Sequence, residues 1–526
     1  MQKRVRIVSV NIILLIILIG IIVIKNNYNN KYSFTQDGIA YALTLDGNKV
    51  SSFPSKGMYK AQVTCDGADG RWLYDDWKLA IENITSDKVT CDINFSTITK
   101  INLNDYVISL TGTTQGTGQV VNETANMPDY SSAVAIAQNA YTSQSVFSST
   151  SYSSTSGTAV SDAFTFANNT WTSVPSAMTS NTYYHFKFNP SESGYYQMCY
   201  DLSAGNTNNR LYAYVNTMQK LSSAASTSAS QSGCMELGYV TSSDYIKVVQ
   251  DAYTDISTLS FSIKKVADVE SNTDVRYEGK SPNNYVWFNN EYWRIIGVFD
   301  ESSHGVSGKN LVKIIRADSL DGLAWDNESE GWWRESSLNL LLNESYYNAE
   351  DGTSSGYCIG YDRIITGNCD YTKKGIQSGY RGMIANVTWY SGAHLREYET
   401  SEKFYQYERD TTVHGGNSTS TTGYIGLMYP SDYGFSVLAS SCARTTYLSD
   451  YNQNSCSGQS WLYGQGFEWT IEAYGLEALN FSNDGNLNST RRQSDGGVFR
   501  PVLYLDSSVY KIDGDGSLNS PYIIGM

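Results

Sequence analysis

The stretch YVWFNNEYWRIIGVF, Tyr285 to Phe299, decides how the second half of the chain is read. Two runs rich in aromatic and β-branched residues, Tyr285–Phe288 and Tyr292–Phe299, flank Asn289-Asn290. Asparagine tolerates the positive φ of a two-residue hairpin turn, so the stretch reads as a β-hairpin. A third strand is expected at Leu311–Ala317. Ser336 then caps a helix that carries Leu338, Leu340, Leu341 and Leu342. A second short helix is expected near Gly382–Thr388, and further strand-like runs follow at Tyr424–Met428, Phe467–Thr470 and Val498–Leu505. Strands mixed with a few helices make residues 274–526 an α+β domain.

Upstream the texture changes. Between 181 and 270, Tyr184, Phe186 and Phe188 share one strand face, and Tyr196, Met198 and Tyr200 share the next. Leu211–Val215, Tyr245–Val249 and Leu259–Ile263 continue the alternation, which predicts a β-sandwich beginning at 181 or nearer 140. Residues 111–180 are rich in Ser, Thr and Gly and read as a linker or long loops, with one Ala-rich helix at Ser131–Tyr141. Residues 28–110 read as a small β domain with Trp72, Trp77 and the Cys65/Cys91 pair in its core. The fold class is therefore multidomain and mainly β.

The N-terminus sets the expected topology. Lys3, Arg4 and Arg6 precede an apolar run from Ile7 to Ile24, broken only by Ser9, Asn11 and Gly20. A run of that length matches a bilayer core, and no small-residue cleavage site follows it. Residues 1–27 are read as an uncleaved signal anchor, with 7–24 in the membrane and the bulk of the chain outside. The eight cysteines fall into four local pairs, Cys65/Cys91, Cys199/Cys234, Cys358/Cys369 and Cys442/Cys456, as suits disulfides in an oxidising compartment. His185, His304, His394 and His414 are far apart and no CxxC occurs, which argues against structural zinc. A net charge of −15 argues against nucleic acid as a partner.

The order hairpin, helix, helix and loop-rich insertion, closed by WLYGQGFEWT (461–470) and GGVFRPVLYL (496–505), resembles the C-type lectin-like fold. The likeness is to the branch that includes formylglycine-generating enzymes and related bacterial surface domains. FKFNPSESGYYQMCYDL (186–202) resembles the jelly-roll sandwiches of carbohydrate-binding modules, and residues 28–110 resemble small Ig-like surface units. The lectin-like resemblance implies a rigid frame carrying large loops, and in some relatives the stretch before the closing strand, here Ala473–Val498, is diversified. The oxidase members use reactive cysteines with copper, but Cys358, Cys369, Cys442 and Cys456 lack that context and read as structural. The calcium-binding lectin loops are absent, leaving EWT at 468–470 without its usual partner. Asp513 and Asp515 in DGDGS are the remaining Ca²⁺ candidates; the twelve-residue loop is missing, and a hairpin turn is the simpler reading.

The chemistry of the expected loops, 391–423 and 445–496, is Tyr, Ser, Gly, Asn and Thr, which suits adaptable recognition surfaces. The sequence thus predicts an adhesin-like display protein that binds an extracellular glycan or protein. Asn486, Asn488, Arg491 and Arg492 are the candidate ligand-binding residues. A structural surface protein is the alternative, and an enzyme of the resembled branch a lesser one. No resident cofactor or catalytic residue is expected, and the oligomeric state is not readable.

Overall fold

The computed structural model describes residues 34–526, apart from 37–38, 58, 75, 204–209, 223–229, 253–257, 328–331, 365–367, 393–394, 396, 410–419 and 465. The expected anchor, 7–24, lies outside the described residues. Among those described, no helix is long and apolar enough to cross a membrane. The protein is mainly β, with several sheets. The chain forms two units: one is residues up to Thr124 together with Thr273–Met526, and the other is Ala125–Asn272.

In the first unit, a small sheet runs in the order Phe34–Gln36, Ile39–Leu45, Val89–Thr97, Tyr59–Asp66. Trp72 packs edge-on against Trp77 and Phe95, and the Cys65–Cys91 disulfide joins two residues that face each other across the strands. This is the core that the sequence indicated.

The large sheet of the same unit holds ten strands. Its centre is the hairpin Tyr285–Phe288 and Glu291–Phe299, with Asn289 at φ 56° and Asn290 at φ 60° as the turn requires. Leu311–Arg316 pairs with the hairpin's second strand, and Val502–Leu505 pairs with Leu311–Arg316. The first strand pairs in parallel with Tyr522–Gly525, which leads through Tyr510–Asp513 to Ile101–Asn102. Ser336 caps the helix Ser337–Leu341 by accepting from the Asn339 N–H at 3.2 Å.

The closing motif divides between two sheets. Gly496–Phe499 lies in a five-stranded sheet ordered Leu320–Ala324, Gly496–Phe499, Glu468–Tyr474, Glu477–Phe481, Leu487–Asn488. Pro501 cannot donate to a ladder and separates that strand from Val502–Leu505. Arg500 before it is buried and bonds both oxygens of Glu468, at 2.6 and 2.9 Å.

Three sequence expectations need correction. Residues 111–180 are not a linker: they contain the strands Gly118–Pro128, Tyr141–Ser149, Phe164–Ala167 and Thr170–Ser173, the last with Trp171 buried. No α-helix forms at Ser131–Tyr141, only the short 3-10 turns Tyr130–Ser132 and Gln138–Ala140. Asp129 captures the Ser131 N–H and limits the first turn to Tyr130–Ser132, while Val134–Ala135 pairs with Lys264–Lys265, so sheet pairing overrides alanine's helical preference. The second helix is Ser378–Arg381, earlier than expected; Val387–Tyr390 is a strand with Val387 and Trp389 turned inward, a period of two.

The second unit is a β-sandwich. One sheet contains Thr182–Pro190 and Ile246–Ala252, the other Gly194–Leu202 and Leu259–Lys265. Phe186, Phe188, Met198 and Phe261 fill the space between them. The Cys199–Cys234 disulfide again joins facing residues on paired strands. The Cys358–Cys369 and Cys442–Cys456 bonds complete the four expected pairs.

A candidate recognition face and the buried charges beneath it

The segment from Asn486 to Val498 separates into support and surface. Asn486 is buried; its Oδ1 accepts from the Asn452 N–H at 2.8 Å, and its Nδ2 donates to Asp484 at 3.2 Å. Asn488 is half-buried and pairs with Asn480 across the sheet. Asn486 thus helps to hold the loop's shape, while Asn488 lies within the sheet with its side chain half-buried. Asn486→Ala should therefore cost about 1–2 kcal/mol, because it leaves the Asn452 N–H without its acceptor and removes the bond to Asp484. Arg492→Ala should stay within about 0.5 kcal/mol, since Arg492 is exposed. Urea melts of the two variants separate support from surface, and equal losses would erase the distinction.

Arg492 is exposed and Arg491 half-buried, and neither side chain is ion-paired among the described residues. The Arg491 guanidinium lies 3.7 Å from the ring centroid of Phe467, which is 37% exposed. Backbone bonds gather other exposed side chains along this segment. Phe467 O accepts from the Val498 N–H, Leu476 O from the Gln493 N–H, and Ser494 O from the Asp362 N–H. Tyr361 and Ile364, each 65% exposed, and Leu476, 53% exposed, lie on the segments that these bonds join. Sequence reading missed Tyr361, Ile364, Phe467 and Leu476, because nothing in their local pattern marks them as outward. The loops expected to be exposed are in good part inside: 401–408 is a helix with Phe404 and Tyr405 buried, and Leu448, Trp461, Leu487 and Gln493 are buried too. Residues 410–419 of the first loop lie outside the described residues.

Asp513 pairs with Lys60 at 2.7 Å, and Asp515 accepts from the Ser517 N–H within a turn. They serve a hairpin connection and not a shared pocket. Among the described residues, no three His, Cys, Asp or Glu side chains gather closely enough to hold a metal ion.

Beneath the large sheet lies a cluster of charges. Asp432 accepts from Lys313 Nζ at 2.5 Å and from Arg276 at 3.2 Å, and Arg276 also donates to Asp274 at 3.0 Å. Glu408 accepts from the Ser431 N–H at 2.9 Å and pairs with Arg409 at 3.3 Å. All are fully or almost fully buried, and Lys313 is enclosed by the rings of Phe299, Trp389, Tyr429 and Tyr504. Burial pushes the Asp432 carboxyl up, but Lys313 and Arg276 outweigh it and hold it below its ordinary value. Burial lowers Lys313 to about 8, which leaves it charged at neutral pH. Burial, with Glu408 alongside, pushes the Glu472 carboxyl well above its ordinary value. Burial likewise raises the Asp274 and Glu408 carboxyls, against the pull of Arg276 and Arg409.

A second raised carboxyl stands on the strands that enter and leave the first unit. Arg444 bonds Glu123 at 2.8 Å and Glu278 at 2.7 Å. Burial lifts Glu278 to about 9, while Arg444 holds Glu123 low against the effect of burial. Glu278 is protonated when folded and ionised when unfolded at neutral pH. Its contribution is complete below the ordinary glutamate value and is lost as pH rises toward the folded value of about 9. Between about pH 6.5 and 8, the first unit should lose up to about 1.4 kcal/mol per pH unit from this group. Denaturant melts of Glu278→Gln should flatten that slope; an unchanged slope would show that Glu278 does not carry the proton.

No protein-family model matches the chain, and no curated protein matches it. Solved structures match only in part. The secreted serine protease VesC from Vibrio cholerae is 9% identical over 37% of this chain and 32% of that one, with a TM-score of 0.16. A β-glucosidase from Kluyveromyces marxianus is 10% identical over 27% and 18%, also at 0.16. The Agl-KA catalytic domain is 11% identical over 29% of each chain, at 0.14. The chain thus spans a third or less of the proteins it matches, and likeness of this degree carries no argument about fold or activity.

Proposed function

We propose that the protein is a bacterial surface protein held in the membrane through residues 7–24, which displays a binding face on a C-type lectin-like domain formed by its C-terminal half. The observation that carries this reading is the Arg491–Phe467 stack on a segment with buried supports. Recognition surfaces concentrate binding energy in arginine and aromatic side chains held by a rigid surround. Four disulfides suit a chain that works outside the cytosol. The loop before Gly496–Phe499 is where the resembled fold carries variation.

The test is an array of extracellular proteins and glycans probed with the purified full chain. Binding partners should be found, and Phe467→Ala or Arg491→Ala should weaken capture by more than about 1 kcal/mol without shifting the melt. Capture by variants as strong as by the parent would remove this face and favour the structural-surface role.

A further inference from the structure

We propose that the Cys199–Cys234 disulfide is a thiol-exchange site, opened by low-molecular-weight thiols and re-formed while the β-sandwich stays folded. The four disulfides differ in access. Cys358, Cys369, Cys442 and Cys456 are all buried. Cys65 and Cys91 face each other across antiparallel strands, but Cys91 is fully buried. Gly70 packs on the Cys65 sulfur, so closely that an added Cβ would lie 2.2 Å from Sγ. Cys199 and Cys234 face each other in the same manner, yet Cys234 is exposed and Cys199 half-buried. They stand on the sheet surface turned away from the core of Met198 and Phe261. The other neighbour of Cys199 across the sheet is the small Ser262, and Gln231–Val240 is the outermost strand of its sheet among the described residues. A thiolate must reach a disulfide sulfur to attack it, so of the four bonds this one exchanges first.

The strand ladder makes the exchange reversible. Backbone pairing runs from Gly194 opposite Val240 to Leu202 opposite Gln231, on both sides of the two cysteines. Leu259–Lys265 pairs with the Cys199 strand along its other edge. Breaking the sulfur bond therefore leaves the two cysteines as neighbours. In the first step a thiolate attacks Cys234 Sγ; the S–S bond breaks and Cys199 departs as a thiolate. The mixed disulfide on Cys234 then has two fates. Cys199 attacks it, expels the small thiolate and restores the starting bond. Otherwise a second small thiol attacks, forms its own disulfide with the first, and leaves both cysteines as thiols. Two electrons and two protons have then passed from two small thiols to the protein.

The experiment exposes the oxidised full chain to reduced glutathione without denaturant, followed by alkylation and peptide mapping. Label and glutathione adduct should accumulate at Cys199 and Cys234 at least about tenfold faster than at any other cysteine. The rate should rise in proportion to glutathione concentration, as direct attack requires, and circular dichroism should show the β-structure unchanged. Cys199→Ser should turn exchange into capture: oxidised glutathione should leave a lasting adduct on Cys234, which the reduced parent clears by closing its own bond. Opening of this bond at the pace of the other three would overturn the inference. So would a rate indifferent to glutathione concentration, because the bond would then be reached only through unfolding. An adduct as lasting in the parent as in Cys199→Ser would remove the return step and with it the exchange role.

Discussion

Asp432→Asn should be among the most damaging single changes in the protein, costing about 3–5 kcal/mol. The side chain touches three groups: Lys313 Nζ, the Arg276 guanidinium and the N–H of Tyr429, which begins the short helix Pro430–Gly434. An amide at this position keeps the volume but not the charge. Two cations then remain buried among aromatic rings, with Asp274 still bonded to Arg276. Desolvation of the unpaired lysine dominates the loss. Replacing Lys313 and Asp432 together, with methionine and leucine, should cost much less than either removal alone, because no charge of that pair is then left unmatched. Equilibrium denaturation of the two single variants and the double variant measures this. A loss below about 1 kcal/mol for Asp432→Asn would mean that water reaches the pair, contrary to their complete burial.

Trp293→Ala and Phe499→Ala should each cost about 3–5 kcal/mol, the penalty for emptying a large aromatic from a packed core. Both side chains are fully buried in the same hydrophobic cluster. Trp293 stands on the central hairpin, edge-on to Phe288, and Phe499 faces Leu320 in the smaller sheet. The Trp293 indole N–H has no partner in its pocket, so Trp293→Phe should cost clearly less than Trp293→Ala. Tyr292 beside it is 37% exposed, and Tyr292→Ala should cost about 1 kcal/mol or less. Thermal and urea unfolding of the four variants checks the order. A Tyr292 variant as unstable as the Trp293 variant would place the hairpin's core on its other face.

The elements that were legible in the sequence are those with local causes. Asn289-Asn290 sets a turn by its tolerance of positive φ, and Ser336 caps a helix with its own hydroxyl. The cysteines pair with their neighbours because paired strands or short loops bring them together. What was hidden depends on what covers a surface. In the strand Val269–Gly279, Asp274, Arg276 and Glu278 alternate with Val275 and Tyr277, a pattern that reads as charges facing water. In the folded chain Asp274, Arg276 and Glu278 are buried, because Asp432, Arg409 and Arg444 from distant segments lie against them. The site shows the same division. Arg491 and Arg492 could be picked out as cations in an acidic loop, but Asn486 could not be recognised as a support without Asn452 beside it.

The division of the first unit at Thr124 and Thr273 governs the order in which this protein is finished during synthesis. Gly118–Pro128 leaves the ribosome long before Val269–Gly279, the strand beside it in the sheet order. Ile101–Asn102 waits longer still, for Tyr510–Asp513, and the hairpin's first strand acquires its neighbour only when Tyr522–Gly525 arrives. The whole of residues 125–272 is made in the meantime and is free to fold first. At synthesis rates of about 5–20 residues per second, the early strands wait for their partners for many seconds, during which their edges are open to other chains. A nascent chain stopped short of its last strand would therefore carry exposed edges in its largest sheet, a ready mark by which proteases and chaperones could tell the incomplete product from the finished one.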